Sequence, residues 1–500
     1  MGLKKVLVAN RGEIAVRILR TLREMGIASV AVHSDADADA PHVRQADFAY
    51  NIGPAPAAHS YLNAERILEV AQISEADAVH PGYGFLSENA EFASACVAKG
   101  LSFIGPSATT IELMGSKTNA RARMQQAGVP IMPGGSATSI DDAKRSAQAL
   151  GYPVLIKASA GGGGKGMRLV NDEAQLISAY ERARSEAERA FGDGTVYLEK
   201  ALLNPRHVEI QVLGDQRGHV VHLFERDCSI QRRHQKVIEE TPCPSLPASL
   251  VEQMGQISVQ AAQAIGYFSA GTFEFLVDEK DQFYFLEMNT RLQVEHPITE
   301  WITGIDLVRE MINVARGESL RFDQTEIVRR GAAIECRIYA EDPRKNFLPS
   351  PGLIEQLTVP TGPGVRDDSG IVQGFRVTPY YDPLLSKLSV WAADRPAAIA
   401  RMKRALSEYS ISGLCTNLSF HRHVMDNAEF QQGRYGTGFI ERNAKTLLAG
   451  DQLSPEEERQ LATAVAVAYA QQQEQAGKAA SATADGAPSQ WSIADRQRTD

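Results

Sequence analysis

Hydrophobic positions recur along this chain in two periods, and the changes between them mark its elements. A strand-like VLVA at 6–9 is followed by Ile14, Ile18 and Leu22 at i, i+4 and i+8, a Gly26 stop, and a second apolar run at 29–34. That order predicts a βαβ unit over 5–35. The run at 76–79 leads into HPGYGFLSEN (80–89), too rich in Gly, Pro and Ser for an element interior and therefore a loop. A helix opens at Lys117 and stops at Gly128-Val129-Pro130, and strands are expected at 152–160, 167–170 and 196–202. Alternating runs at 272–277 and 283–288 flank the polar Asp278-Glu279-Lys280-Asp281 and predict a β-hairpin. An alternating strand at 334–343 and a helix at 397–409 follow. After Ser454-Pro455-Glu456-Glu457, an N-cap and capping-box pattern, Leu461, Val465 and Tyr469 form one stripe, which predicts a docking helix at 448–474. From about Gln471 the composition turns to Gln, Ala, Ser and Gly, so 475–500 is expected to be disordered, with Trp491 and Ile493 as a weak linear contact.

Five hundred residues exceed one ordinary core, and 43% hydrophobic with 23% charged residues is usual for a soluble globular chain. The net charge of −9 and the absence of any Lys/Arg block leave no footprint for nucleic acid. No apolar run is long enough to span a bilayer, and the N-terminus lacks a signal h-region. Five scattered cysteines, never in CxxC spacing, argue against a disulfide framework or a zinc site and for a cytoplasmic, reducing location.

The hairpin carries the densest chemistry. Glu274 shares a face with Thr272 and Leu276, and Glu287 shares one with Asn289 on the returning strand. Two half-buried carboxylates about 4 Å apart repel by roughly 4 kcal/mol at an effective dielectric near 20, so they need a cation. Glu, Glu and Asn oxygens suit Mg²⁺ shared with substrate phosphates. Arg291, Gln293 and Glu295 follow at spacings of two, a fork for an oxyanion beside a proton acceptor. Upstream, Gly161 to Gly166 formally contains G-x-G-x-x-G, but a strand follows where a dinucleotide site needs a helix, and Gly166 stands where a P-loop needs Ser or Thr. What remains is a glycine-rich hairpin tip whose bare amides close over phosphates, with Lys157 on its supporting strand. Lys117 at a helix start also suits an anion.

EMNTRLQVEHP, with GTFEF before it, resembles the active-site signature of the biotin carboxylases, members of the ATP-grasp superfamily. NRGEIAVRI, HPGYGFLSEN, RHVEIQV and ECRIYAED extend the resemblance over roughly residues 3 to 447. It implies an α/β and α+β architecture with a Rossmann-like N-terminal domain (1–114), an ATP-grasp domain (115–333) whose mobile glycine-rich lid spans about 131–203, and a smaller α+β C-terminal domain (334–447). It also implies ATP bound by Lys117, Lys157, Gly162, Gly163, Gly164, Glu199, Lys200, Leu202, His207, Gln231, His234, Leu276, Glu274 and Glu287. Two Mg²⁺ (or Mn²⁺) ions are expected on Glu274, Glu287 and Asn289. Bicarbonate and biotin fall to Arg291, Gln293, Val294, Glu295, Arg337, Lys236 and Tyr83, with Glu295 as base, Arg291 and Lys236 on bicarbonate, and Arg337 on the biotin enolate. The one departure in the lid is Ala160, where the family's usual sequence has glycine.

The activity so implied is ATP-dependent carboxylation of biotin through carboxyphosphate, the first half-reaction of an acyl-CoA carboxylase, with acetyl-CoA favoured as acceptor. Biotin attachment in the family uses Ala-Met-Lys-Met, which this sequence lacks, so a biotin carboxyl carrier protein and a carboxyltransferase are expected in trans, around a homodimer. Other ATP-grasp ligases lack RLQVEHP together with ECRIYAED, and a non-catalytic scaffold would show gaps among the charged positions where this chain has none.

Overall fold

The structure is a computed structural model, and it describes residues 2–158, 168–191, 194–449 and 455–484. It divides into a compact unit Met1–Leu448 and a second unit Ala449–Asp500.

Unit 1 opens with β1 (Lys5–Val8), α1 (Gly12–Glu24) and β2 (Ala28–His33), followed by β3 (Phe48–Asn51), β4 (Ala78–His80) and β5 (Ser102–Phe103). These five strands form a parallel sheet in the order β3-β2-β1-β4-β5. The stripe Ile14, Ile18 and Leu22 of α1 is buried, as its spacing predicts. The helix α2 (Lys117–Gln126), capped by the Ser116 side chain, leads to β6 (Gly134–Ala137), β7 (Val154–Ala158), β8 (Arg168–Val170) and β9 (Val196–Lys200). They make a small antiparallel sheet in the order β6-β9-β7-β8, with its own core of Ile156, Val170, Leu176 and Leu198. The glycines expected at its tip, Gly162, Gly163 and Gly164, lie outside the described residues.

An eight-stranded antiparallel sheet holds the rest together. Its strands are β10 (Arg206–Gly214), β11 (Val220–Arg232), β12 (Gln235–Thr241), β13 (Ser269–Val277), β14 (Phe283–Asn289), β15 (Ala332–Tyr339), β16 (Val365–Ser369) and β17 (Leu384–Ala392). Their order is β14-β13-β10-β11-β12-β15-β17-β16.

Period-two alternation decides which side chains face the chemistry. On β10, Val208, Ile210 and Val212 enter the core while His207, Glu209 and Gln211 take the other face; β13 does the same with Phe273, Phe275 and Val277 against Thr272 and Glu274. On β15, Ile334, Cys336 and Ile338 pack with Met402 and Leu406 of α3 (Arg395–Glu408), leaving Glu335 and Arg337 on the opposite face. Both faces are covered, so those polar residues are buried.

In unit 2, α4 (Pro455–Ala484) begins at the expected proline but runs on through 475–484. The expectation of disorder from 475 is therefore corrected as far as Ala484. Ala fills five of the ten positions 475–484 and is the best helix former, a property that outweighs the stretch's low hydrophobicity. Val465 and Tyr469 of the stripe are exposed, and residues 485–500, with Trp491 and Ile493, lie outside the described residues. Among the described residues no helix is long and apolar enough to cross a membrane.

Candidate active site

Three acids stand side by side across the large sheet. Glu287 on β14 is registered opposite Glu274 on β13, Glu274 opposite Glu209 on β10, and Glu209 opposite Arg226 on β11. Like charges directly opposed on one face destabilise a sheet, so this row exists only because cations are set into it. Arg226 is fully buried, with its guanidinium on Glu209, on Gln211 and Thr299 at 2.8 Å, and on Thr272 at 3.3 Å. Lys236, reaching in from β12, donates to Glu209 at 2.5 Å, Glu274 at 2.8 Å and Glu295 at 2.7 Å.

A register shift beside Glu274 places Glu287 on this face. Strict alternation would put Phe283, Phe285 and Glu287 together. Leu286 instead forms a bulge, 44% exposed, so Phe283 and Phe285 stay in the core and Glu287 and Asn289 join the acids.

Glu274 is the most heavily coordinated of these groups. One oxygen accepts from Lys236, from Asn289 at 2.8 Å and from Gln293 at 3.1 Å, and the other pairs with His207 Nε2 at 2.8 Å. Gln231 donates to His207 Nδ1, which leaves the ring proton on Nε2, facing Glu274. Burial works against the Glu274 anion, but Lys236 and His207 overcome it and hold the carboxyl well below its ordinary range. Glu287, half exposed, is pushed up by burial and by Glu274, and Lys117 at the start of α2 lies 3.8 Å from it.

This pair fits a divalent ion of the magnesium kind: hard oxygens from adjacent strands, one of them under-neutralised. Asn289 Oδ1 accepts from Arg291 at 2.8 Å, which leaves it a second lone pair for such an ion. Ligand atoms of Glu209, Cys228 and Glu295 also lie within 4.8 Å of one another, but Lys236 already spans the two carboxylates and burial raises the Cys228 thiol well above its usual pKa.

Past the strand, Arg291 is fanned out by Glu88 at 2.8 Å, Gln293 at 2.9 Å and Asn289. Glu295 immediately precedes the helix α5 of this site (His296–Thr303) and is fully buried. One Glu295 oxygen takes Lys236 and the other takes Arg337 at 3.0 Å, while Arg337 Nε donates to Glu239 at 2.6 Å. Burial would raise the Glu295 carboxyl, yet Lys236, Arg337 and Arg226 together hold it well below the usual range. Glu295 is therefore an anion here, and a weakly basic one while those partners remain.

Tyr83 reaches the site indirectly. Its hydroxyl donates to Glu13, Glu13 pairs with Lys387 at 3.2 Å, and the fully buried Lys387 donates to the Val294 carbonyl at 2.8 Å.

The structure thus brings Glu274, Glu287, Asn289, Arg291, Gln293, Val294, Glu295, Lys236, Arg337, His207, Gln231, Lys117 and Tyr83 into one connected network. Other expected nucleotide contacts stand outside it. Lys157 pairs with Glu199 at 2.8 Å within the small sheet, Lys200 caps the Gly151 and Tyr152 carbonyls, and Leu202 and Leu276 are partly buried. His234 is exposed at the β11–β12 turn, where it and Arg233 have φ of 66° and 50°. Arg233 and His234 thus form a two-residue hairpin tip, while Lys236 just beyond it turns into the site. Glu209, Glu88, Glu239, Arg226, Glu13 and Lys387 are site residues that sequence reasoning missed. Glu209 was within reach, two residues past His207 on one strand face; Lys387 and Glu13 meet only through tertiary packing.

Three family models account for most of unit 1. Residues 2–111 match the biotin carboxylase N-terminal domain, 116–323 the carbamoyl-phosphate synthase L chain ATP binding domain, and 335–442 the biotin carboxylase C-terminal domain. A biotin carboxylase of Nostoc sp. is 53% identical over 447 residues, covering 89% of this chain and all of the relative. A pyruvate carboxylase subunit of Methanothermobacter thermautotrophicus is 52% identical, covering 91% of this chain and 93% of the relative. The crystal structure of the biotin carboxylase domain dimer of Hydrogenobacter thermophilus 2-oxoglutarate carboxylase, in complex with MgADP, ADP and bicarbonate, superposes with a TM-score of 0.84 at 49% identity, covering 91% of this chain and all of that one. With the flanking domains matched as well as the nucleotide-binding one, and the acid row and Glu295–Arg337 pair framed by them, the chain belongs to the biotin carboxylase family.

Proposed function

We propose that this chain carboxylates biotin, using ATP and bicarbonate, as the first half-reaction of a biotin-dependent carboxylase. The observation that carries the reading is the Lys236 bridge: one ammonium joins the cation-seeking Glu274 to Glu295, the group placed to take a proton. Bicarbonate oriented by Arg291, Gln293 and Lys236 must draw Lys236 off Glu295. Losing that partner raises the basicity of Glu295 when its substrate arrives. Bicarbonate gives Glu295 its proton, and the freed oxygen bonds to the γ-phosphorus as the bond to ADP breaks. Carboxyphosphate then splits to CO₂ and phosphate, and phosphate removes the biotin N1′ proton. Arg337 holds the enolate oxygen as N1′ bonds to CO₂.

Two Mg²⁺ (or Mn²⁺) ions on Glu274 and Glu287, with Asn289, offset phosphate charge when bound. Lys117, Lys157, the lid glycines Gly162, Gly163 and Gly164, Glu199, Lys200, Leu202, His207, Gln231, His234 and Leu276 bind the nucleotide in this reading. The division at 1–114, 115–333 with a lid over 131–203, and 334–447 is proposed with it.

The test is Glu295→Gln. Bicarbonate-dependent ATP cleavage should fall by about 10²–10⁴, the usual size for removing a general base. An unchanged rate would remove Glu295 from the chemistry. Arg337→Ala should hurt carboxylation of free biotin more than ATP cleavage, and equal losses would take the enolate role away from it.

We further propose that biotin arrives on a separate carrier and leaves for a separate carboxyltransferase, as expected of a cytoplasmic, homodimeric component of a larger complex. Its support is that the chain spans 93% of a relative that is one subunit of a pyruvate carboxylase, and that the neighbouring structure is a dimer. Acetyl-CoA is the acceptor we favour. Relatives that act in pyruvate and 2-oxoglutarate carboxylases make the transferase the selecting partner. Purification of the full chain with its bound subunits, followed by assay with acetyl-CoA, pyruvate and 2-oxoglutarate, decides among them.

A further inference from the structure

Behind Arg337 the large sheet buries a pair of acids that the steps above leave unused. Glu239 and Glu335 are direct partners across β12 and β15, and neither has any exposed surface. One Glu239 oxygen accepts from Arg337 Nε at 2.6 Å; among the described residues the other has no hydrogen-bond partner, and neither does either oxygen of Glu335. Among the described residues the surroundings supply no donor. Ser389, opposite Glu335 on β17, is engaged by the Trp301 indole at 3.0 Å and by the Arg366 carbonyl. Lys387 is occupied by Val294 and Glu13, and the Arg337 guanidinium by Glu239 and Glu295. His296, on the first turn of the covering helix, directs Nδ1 to the Gln293 carbonyl.

An ionised carboxylate cannot persist in such a place, and the group keeps its proton instead. Burial pushes Glu335 well above the ordinary carboxyl range and Glu239 up to about 7. Glu239 has the guanidinium at 2.6 Å and is the anion of the two; Glu335 is the acid. Its O–H then needs an acceptor. Directly opposed residues have Cβ atoms about 4.5–5.5 Å apart, which places the free Glu239 oxygen within reach.

We infer that Glu335 is a positioning residue for Arg337: as a neutral carboxylic acid it donates to the free oxygen of Glu239, and so fixes the other Glu239 oxygen on the Arg337 guanidinium. Anchored from behind through Nε, Arg337 keeps its Nη2 edge toward Glu295 and the reaction. The inference rests on the proposed contact of Arg337 with the biotin enolate. Ionising Glu335 would add a second negative charge behind the guanidinium, near Lys387 and Glu295, and draw Arg337 away from the enolate.

The experiment compares the wild-type chain with Glu335→Gln and Glu335→Leu, each assayed for bicarbonate-dependent ATP cleavage and for free-biotin carboxylation across pH. An amide donates as the acid does but cannot ionise. Glu335→Gln should therefore keep both rates within about twofold near neutrality and lose part of the fall in biotin carboxylation at high pH. Glu335→Leu should lower kcat for biotin carboxylation by about tenfold with ATP cleavage nearly kept, since displaced groups cost rate at the step they serve. The infrared band of a protonated buried carboxyl, present in wild type and lost in Glu335→Gln, reports the proton without any assay. A Glu335→Gln enzyme that loses biotin carboxylation, or a wild type without that band, overturns the inference even if Glu335→Leu fails to fold. A wild type showing neither activity instead overturns the function proposed for the site.

Discussion

The Lys236 ammonium holds three carboxylates from three different elements, yet it is the cation most easily diverted, because a point charge on a flexible stem can follow an arriving anion. Arg226 and Arg337 are planar forks fixed by bidentate or multiple contacts and cannot. Arg337 is also held through its backbone: its carbonyl accepts from Asn417 at 2.9 Å and from His421 Nε2 at 2.8 Å. His421 is fully buried, its other nitrogen has no partner among the described residues, and burial lowers its pKa to about 4. Between pH 6.5 and 4 the unfolded chain protonates this ring while the folded chain does not. Its contribution to stability is present above pH 6.5 and is lost as pH falls, by about 1.4 kcal/mol per unit. In His421→Gln that slope should disappear: the gap in unfolding free energy between wild type and variant, read from urea titrations, shrinks or reverses as pH drops from 6.5 to 4.5. A gap that stays constant over that range would show that the ring titrates normally.

At the scale of elements the hairpin β13–β14 trades stability for chemistry. Its bulge turns Glu287 to face Glu274, an arrangement that costs a few tenths of a kcal/mol or more in the metal-free protein. Glu287→Gln should therefore raise the unfolding free energy measured without metal. It should also raise the Mg²⁺ concentration needed for half-maximal ATP cleavage by about tenfold or more, as loss of groups in a metal shell does. A variant with an unchanged Mg²⁺ requirement would free Glu287 of the ligand role. The hairpin, its acids and the Arg291-Gln293-Glu295 spacing were all legible because they lie in one short stretch with a clear period. The bulge was not legible, since Phe283, Phe285 and Glu287 share a parity and only packing shows that the aromatics stay inside. The turn at Arg233 and His234 was not legible for a related reason: a two-residue turn with positive φ is normally announced by Asn or Gly, and neither is present. The βαβ opening and the α2 start read correctly because their stripes and caps are local. Glu209, Glu239 and Lys387 became site residues only when the order of the eight strands was known.

For the whole molecule, that strand order explains why one sheet can serve two reactions. Its β14-β13-β10 side presents the acids proposed for the metal and phosphates, its β12-β15-β17 side presents Lys236, Arg337 and Lys387, and Glu295 faces both from the start of the covering helix. Every one of these residues belongs to the unit Met1–Leu448, and the family models end at 442. The helix Pro455–Ala484 lies beyond residue 442, where the last of those family models ends. A chain ended after Leu448 should accordingly keep bicarbonate-dependent ATP cleavage and free-biotin carboxylation within about twofold, and its unfolding free energy within about 0.5 kcal/mol, as changes away from packed features do. The exposed Val465, Val467 and Tyr469 would then serve something other than the chemistry. A loss above tenfold in either rate would mean that residues 449–500 complete the catalytic unit, and the boundary after Leu448 would have to be abandoned.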